Sequence, residues 1–321
     1  MEAEKYITYL LSEPKGSSCV KSGDVLEVSH DKVNNFLLSG NFTGKNLYDK
    51  AVPHLIQFGG TLSVDDTVLD KPYADLNKND LVGYFYSGKH HKPVKGVNLI
   101  TLLYTDSRGI SLPVNFRVYD KKDSKTKNQY FRDMVNEVLK WGLQPKVVTG
   151  DSWYSSVENF KFLRKHELSF LFGIEVNRII SCQKGLYEHV SNVKIPENGL
   201  YTHLKEFDFV KIFQTVDKKN DVRYYAYYNP ERTLGIDRKE FEKAHYEHWK
   251  IEIFHRISKQ SCNLEDFFVR KDNSVRTHIF CALRAFIRLS ALVKDQLIDT
   301  HYSLHKQIFL NVQRSFITNF A

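Results

Sequence analysis

Thr61-Leu62-Ser63-Val64-Asp65-Asp66-Thr67-Val68 reads as a β-strand that closes on two consecutive carboxylates. Side chains alternate faces along a strand, so one aspartate points toward any shared site and its neighbour points away. Alone, such a pair is more often a turn initiator or a solvated edge, and its meaning depends on two other stretches. Val147-Val148-Thr149-Gly150-Asp151 is a short buried-type strand that delivers Asp151 at its carboxyl end, where open α/β sheets place ligands. Trp249-Lys250-Ile251-Glu252 lies in a long helical period. On a helical wheel, His248, Glu252, His255, Arg256 and Lys259 gather on one side, while Tyr246, Ile253, Phe254 and Ile257 cover the other. Taken singly, Asp151 suits an Asx-turn and Glu252 suits ion pairing with Lys250, Arg256 and Lys259. Together the three acids supply the hard oxygen ligands that Mg²⁺ or Mn²⁺ requires, and two such ions clamp both sides of a phosphodiester.

The order of elements follows by working outward from the first strand. Gly96–Tyr104 and Ile110–Tyr119 read as strands joined by the turn Thr105-Asp106-Ser107-Arg108-Gly109, giving three antiparallel strands with Thr61–Val68. Gln129–Trp141 has helical spacing, and after the strand before Asp151 come a helix capped near Ser155 and a strand over Ser169–Ile174. The sum is βββαβαβ, an α/β fold. Short strand-like runs between 179 and 230, including Val210–Val216, a turn over Asp217–Asp221 and Val222–Tyr228, read as a β-rich insertion. Helical periodicity resumes over Arg238–Gln260 and Ser274–Leu297. Upstream, Asp31–Leu55 suggests two or three short helices, and the stretch from Lys71 to Pro93 reads as a polar connection.

The chain has 321 residues, 42% of them hydrophobic, which suffices for a large core. His278–Val293, the longest apolar stretch, is broken by Arg284 and Arg288 and falls short of the roughly 20 residues a membrane helix needs. With no secretory leader pattern, and with Cys19, Cys182, Cys262 and Cys281 scattered outside any CxxC pair, the expectation is reduced thiols in the cytosol and no membrane partner. The net charge of +8 sits with the carboxylate motifs: residues 1–60 carry 6 basic and 7 acidic groups, 61–235 carry 26 and 21, and 236–321 carry 14 and 10. A basic surround on an acidic centre suits a polyanionic partner such as DNA. Lys89–Lys95 and Lys121–Lys127 are candidate backbone contacts, and Trp153 and Trp249 are candidate stacking platforms for unpaired bases.

The three settings resemble the DDE transposases of bacterial insertion sequences, in particular the insertion-sequence-4-like branch. That branch carries its first aspartate before threonine, as in Asp66-Thr67, and its second at a strand end, as in Gly150-Asp151. Its glutamate sits in a Tyr-x2-Arg-x3-Glu-x6-Lys helix, matched here by Glu252 and Lys259. The positions of the tyrosine and arginine hold His245 and His248, which donate hydrogen bonds but are only partly cationic near neutral pH. A zinc site of His245, His248 and His255 lacks a fourth ligand.

The resemblance implies a ribonuclease-H-like mixed sheet flanked by helices, with a β-rich insertion before the last catalytic helix and a small helical N-terminal region. The expected divisions are 1–60 (helical, a candidate for transposon-end binding), 61–178 (first part of the catalytic core), 179–235 (insertion), 236–300 (helical completion carrying Glu252) and 301–321 (C-terminal tail). It implies Asp66, Asp151 and Glu252 as ligands of two Mg²⁺ or Mn²⁺ ions, with Asp65 as the alternative to Asp66 and Lys259 as a fourth catalytic residue. His245, His248, Trp249, Arg256 and Trp153 are the candidates for touching DNA. The implied partners are double-stranded DNA with terminal inverted repeats, target DNA and a second copy of the chain, and hairpin-ended intermediates are a further expectation. The alternative is a catalytically weakened or domesticated DNA-binding relative; retention of all three acids and Lys259 favours the enzyme.

Overall fold

The computed structural model describes residues 1–320 except 14–15, 17, 77–78, 89, 218–219 and 232–235. Lys89 of the first basic loop and Lys218-Lys219 of the turn expected over Asp217–Asp221 therefore lie outside the described residues.

The central part matches the sequence expectation closely. Strands β1 (Thr61–Asp70), β2 (Val82–Ser87), β3 (Lys92–Thr105) and β4 (Ser111–Val118) precede helix α5 (Lys127–Lys140), strand β5 (Val147–Gly150), helix α6 (Val157–Lys165) and strand β6 (Ser169–Ile174). β1 runs antiparallel to β3 and parallel to β5, which is parallel to β6, while β4 pairs with β3. The order β4-β3-β1-β5-β6 thus has the three antiparallel and two parallel strands of a ribonuclease-H-like sheet. Strand β2 falls inside the stretch whose sequence reads as a polar connection. It pairs only with the first half of β3 and leaves Tyr84 and Tyr86 exposed, so its alternation carries little apolar signal.

The insertion supplies β7 (Ile179–Gln183), β8 (Leu186–His189), β9 (Leu200–Leu204), β10 (Phe209–Val216) and β11 (Val222–Tyr228). It continues the sheet, because β11 pairs antiparallel with β6 and so covers what would be an open edge. Helix α7 (Arg238–Ser261) begins at a capping box between Asp237 and Glu240 and lies across β1 and β5. Its first turns pack Phe241 on Phe213 of β10 and on Tyr225 of β11.

The N-terminal region is helical as expected, with α1 (Ala3–Ser12) and α2 (Cys19–Leu26) added before α3 (His30–Ser39) and α4 (Gly44–Ala51). It packs on α8 (Asp272–Lys294) and on β4 and shares one hydrophobic core with the sheet. A buried polar chain fastens it there. The Tyr6 hydroxyl meets His278 Nδ1 at 2.9 Å, His278 Nε2 meets the Asn263 carbonyl at 2.9 Å, and Asn263 Nδ2 donates to the carbonyls of Leu10 and Glu13. The stretch expected to be a tail contains α9 (Ser303–Phe320). No described helix is long and apolar enough to cross a membrane.

Candidate active site

The parallel register of β1 and β5 pairs Val64 with Gly150, so one step further along both strands stand Asp65 and Asp151. Alternation then assigns the faces. Thr61, Ser63 and Asp65 of β1 share a face with Thr149 and Asp151, and α7 covers that face. Thr61 Oγ1 bonds Glu247, the hydroxyls of Ser63 and Thr149 meet at 2.8 Å, and Thr149 Oγ1 meets His248 Nδ1 at 3.2 Å. At the open end of this polar file, ligand atoms of Asp65, Glu252 and His255 all lie within 4.8 Å of one another. Gly150 is required by the crowding: a Cβ there would come within 2.4 Å of the Phe172 ring and 2.8 Å of Val64.

Asp66 faces the other way. Its Oδ2 accepts from Asn98 Nδ2 at 2.6 Å and pairs with Lys127 Nζ at 2.7 Å, and its Oδ1 accepts from the Tyr154 hydroxyl at 3.1 Å. Between the two aspartates, the structure therefore turns Asp65 toward Glu252 and ties Asp66 to a lysine. The Asp-Thr motif of the resembling branch points instead to Asp66, which precedes Thr67.

The electrostatics separate the acids further. Burial, then the charges of Glu252 and Asp66, push the Asp65 carboxyl well above the usual carboxylate range. Asp151 is pushed up to about 7 by the protein packed around it and by Asp65 and Asp66, although part of its surface remains open to solvent. Its Oδ1 accepts from the Trp153 N–H at 3.1 Å. Carboxylates that crowd and raise one another in this way fit a divalent cation, whose charge would relieve the repulsion and whose preference is for oxygen donors.

The remaining candidates divide. Trp249, Glu252, Arg256, Lys259 and Trp153 line one cleft with Asp65, Asp66 and Asp151, and its volume of about 2060 Å³ exceeds the roughly 300–1,000 Å³ of small-molecule pockets, so it suits a polymer. Lys259 Nζ donates to the Val68 carbonyl at 2.6 Å and pairs with Glu265 at 3.3 Å. His245 and His248 are absent from the cleft wall. Helix α7 points them at the sheet, His245 Nε2 to the Tyr225 hydroxyl at 2.9 Å and His248 to Thr149, and burial lowers both, His248 to about 4. The polar stripe read on the helical wheel is thus split, because the sheet beneath α7 is itself polar. His255 also turns inward, with Nε2 2.8 Å from Thr101 Oγ1. It separates from the other two histidines, and no zinc cluster of the three forms among the described residues.

Lys127, Tyr154, Asn98 and Thr101 were not singled out as site residues. Lys127 stood inside a charge run whose Lys122 and Lys125 pair with Asp80 and Asp133. Lys127 also lies 5.3 Å from the centre of the exposed Trp153 ring. Tyr84 and Tyr86 of β2 add exposed aromatics to the same cleft.

A mixed sheet that sets Asp65 beside Asp151 and under Glu252 of the covering helix, in a polymer-sized cleft that lysines and arginines share with acids, fits the class of phosphoryl-transfer enzymes acting on nucleic acid. The model of the family described as "Transposase DDE domain" matches residues 57–287, and the chain belongs to that family. It is a DDE transposase, an enzyme of DNA strand cleavage and strand transfer that works with divalent metal on DNA. Among solved structures it is similar to the piggyBac transposase in a synaptic complex with hairpin DNA, at a TM-score of 0.52 and 13% identity over 99% of this chain and 68% of that one. This likeness is one of fold. The Drosophila P element transposase in a strand transfer complex aligns at a TM-score of 0.28 and 9% identity over 98% and 86% of the two chains. No curated protein matches the chain.

Proposed function

We propose that Asp65, Asp151 and Glu252 hold two Mg²⁺ or Mn²⁺ ions and that the chain cuts transposon ends and joins them to target DNA at this centre. The observation that carries the assignment is the pairing of Val64 with Gly150, which sets Asp65 beside Asp151 on the face that α7 covers. Bound there, the ions would make water or a 3′-hydroxyl nucleophilic and stabilise the departing 3′ oxygen. The protein's own groups hold and orient. Asp66, tied to Lys127 and Tyr154, fixes the end of β1 against the layer carrying α5. His245 and His248 anchor α7 to β11 and β5, so that Glu252 is presented at a fixed height over Asp65. Arg256 and Lys259 at the cleft wall contact the DNA backbone, and Trp153 and Trp249 stack on bases freed near the cut.

The insertion-sequence-4-like branch supplies the finer reading: terminal inverted repeats as the recognised ends, a homodimer that synapses two of them, hairpin-ended donor DNA and residence in the bacterial cytosol. The hairpin DNA named with the piggyBac structure supports that intermediate. The division into an end-binding helical region (1–60), a core (61–178 and 236–300), an insertion (179–235) and a C-terminal segment (301–321) completes the proposal. The deciding assay is strand nicking of an end fragment with Mg²⁺ or Mn²⁺. Wild type cuts and Glu252→Gln falls by about three orders of magnitude. Equal cutting by both discards the site, and DNA binding without cutting by wild type establishes the weakened DNA-binding relative. Donor products with only open ends remove the hairpin step.

A further inference from the structure

The two ring nitrogens of His255 face different groups, Nε2 a threonine hydroxyl and Nδ1 a carboxylate. Thr101 Oγ1 has one proton to give and two acceptors in reach, the Asp65 carbonyl at 3.4 Å and His255 Nε2 at 2.8 Å. With Nε2 protonated, Nε2–H donates to the hydroxyl at 2.8 Å and the hydroxyl turns its own proton toward the Asp65 carbonyl, a long contact. In the other tautomer the hydroxyl donates to Nε2 and Nδ1–H faces Asp65 Oδ2 at 3.5 Å, a contact equally long. A metal ion on the Nδ1 side would select the first network. That network leaves the Nδ1 lone pair facing a carboxylate oxygen, an arrangement that a proton or a metal cation between the two relieves. Asp65 Oδ1 already accepts the Asp66 N–H at 2.7 Å, so Oδ2 is the oxygen turned toward His255.

His255 is 4% exposed, and its ligand nitrogen lies within 4.8 Å of ligand oxygens of Asp65 and Glu252. An imidazole that gives its far N–H to a neighbouring oxygen and turns the near nitrogen inward is arranged as metal-binding histidines are. We propose that His255 Nδ1 is a direct ligand of the ion held by Asp65 and Glu252, with Thr101 Oγ1 accepting from Nε2–H. This deepens the carboxylate reading above and rests on it. A nitrogen donor in a carboxylate site shifts preference away from Mg²⁺ and toward Mn²⁺ and later transition ions.

The test uses the full chain, freed of metal and of any histidine tag, titrated with Mn²⁺ alone and followed by pulsed electron paramagnetic resonance. Bound Mn²⁺ should show coupling to a directly ligated ¹⁴N, converted to the ¹⁵N pattern after ¹⁵N-histidine labelling. His255→Gln should lose the coupling and bind Mn²⁺ at least about tenfold more weakly, with a smaller change for Mg²⁺. Asp65→Asn should lose coupling and binding together. If His255→Gln does not fold, Asp65→Asn decides, since no other histidine joins this cluster among the described residues. Mn²⁺ bound in an Asp65-dependent way without nitrogen coupling overturns the role of His255 and leaves the carboxylate reading standing. Coupling that persists in folded His255→Gln overturns it equally. Binding indifferent to both Asp65→Asn and Glu252→Gln overturns the carboxylate reading itself.

Discussion

Asp65 and Asp66 are consecutive on β1 and look into opposite layers. On the α7 side, Asp65 meets Glu252 and a buried imidazole, with no lysine or arginine paired to it among the described residues. On the α5 side, Asp66 has a lysine, a tyrosine hydroxyl and an amide within hydrogen-bond range. Charge repulsion is left unrelieved on one face and neutralised on the other. An enzyme that takes up metal needs the first environment to bind and the second to keep the strand end in place.

The contrast is broken most severely by exchanging single oxygens for nitrogens. Asp65→Asn should cut metal-dependent nicking by about three orders of magnitude or more, whereas Asp66→Asn should stay within about tenfold of wild type. Comparable losses in the two would erase the distinction.

A smaller effect appears in stability. Metal at a hundredfold excess over its Kd should stabilise the fold by about 2.7 kcal/mol, read as a higher melting midpoint, with the rise absent in Asp65→Asn and present in Asp66→Asn. Its pH dependence has a fixed sign. Asp151 holds its proton up to about 7 in the folded chain against 3.8 for an ordinary aspartate, and Asp65 is raised as well. Below the ordinary value the folded and unfolded chains bind the same protons, and this term vanishes. As pH rises toward 7 the unfolded chain sheds protons that the fold retains, so the metal-free fold loses stability over that interval, with the Asp151 share complete near pH 7 and the Asp65 share of the same sign. Metal competes with those protons, so its affinity should climb over the same interval. Thermal melts at stepped pH, with and without Mn²⁺, read both trends, and a metal-free melting point that rises from pH 5 to 7 in proportion to these acids contradicts the assignment.

The smallest effect sharpens the neutralised face. Lys127→Met strands Asp66 and should cost about 1–3 kcal/mol in chemical denaturation, most of it recovered in the double variant with Asp66→Asn. No recovery would mean that Lys127 acts through something other than Asp66.

Much of this architecture was legible in the chain. The turn at Thr105–Gly109, the helical spacing after Gln129 and the apolar run before Asp151 reflect local preferences and hydrophobic period, and β3, β4, α5, β5 and β6 appear where those signals put them. The proposed second aspartate and glutamate, Asp151 and Glu252, come from the same signals and from the family motif. The opposite facing of Asp65 and Asp66 was partly legible too. Thr61, Ser63 and Asp65 form a polar file opposite Leu62 and Val64, and a polar helix face above needs a polar face below. What could not be read was register, since the pairing of Val64 with Gly150 joins residues far apart in sequence. The inward turn of His248 and His255 was hidden for the same reason: a helical wheel separates polar from apolar sides but does not know that the sheet beneath offers Thr149 and Thr101. Edge strand β2 escaped because an edge strand satisfies fewer partners and shows weaker alternation.

The most direct test of the account is the position of the ion itself, read from anomalous scattering of Mn²⁺ in crystals of the protein with an end fragment of DNA. The account predicts density in contact with the carboxylates of Asp65, Asp151 and Glu252 while Asp66 stays paired with Lys127. Density on Asp66 with Asp65 turned away, or no ion between Asp65 and Glu252, would contradict it.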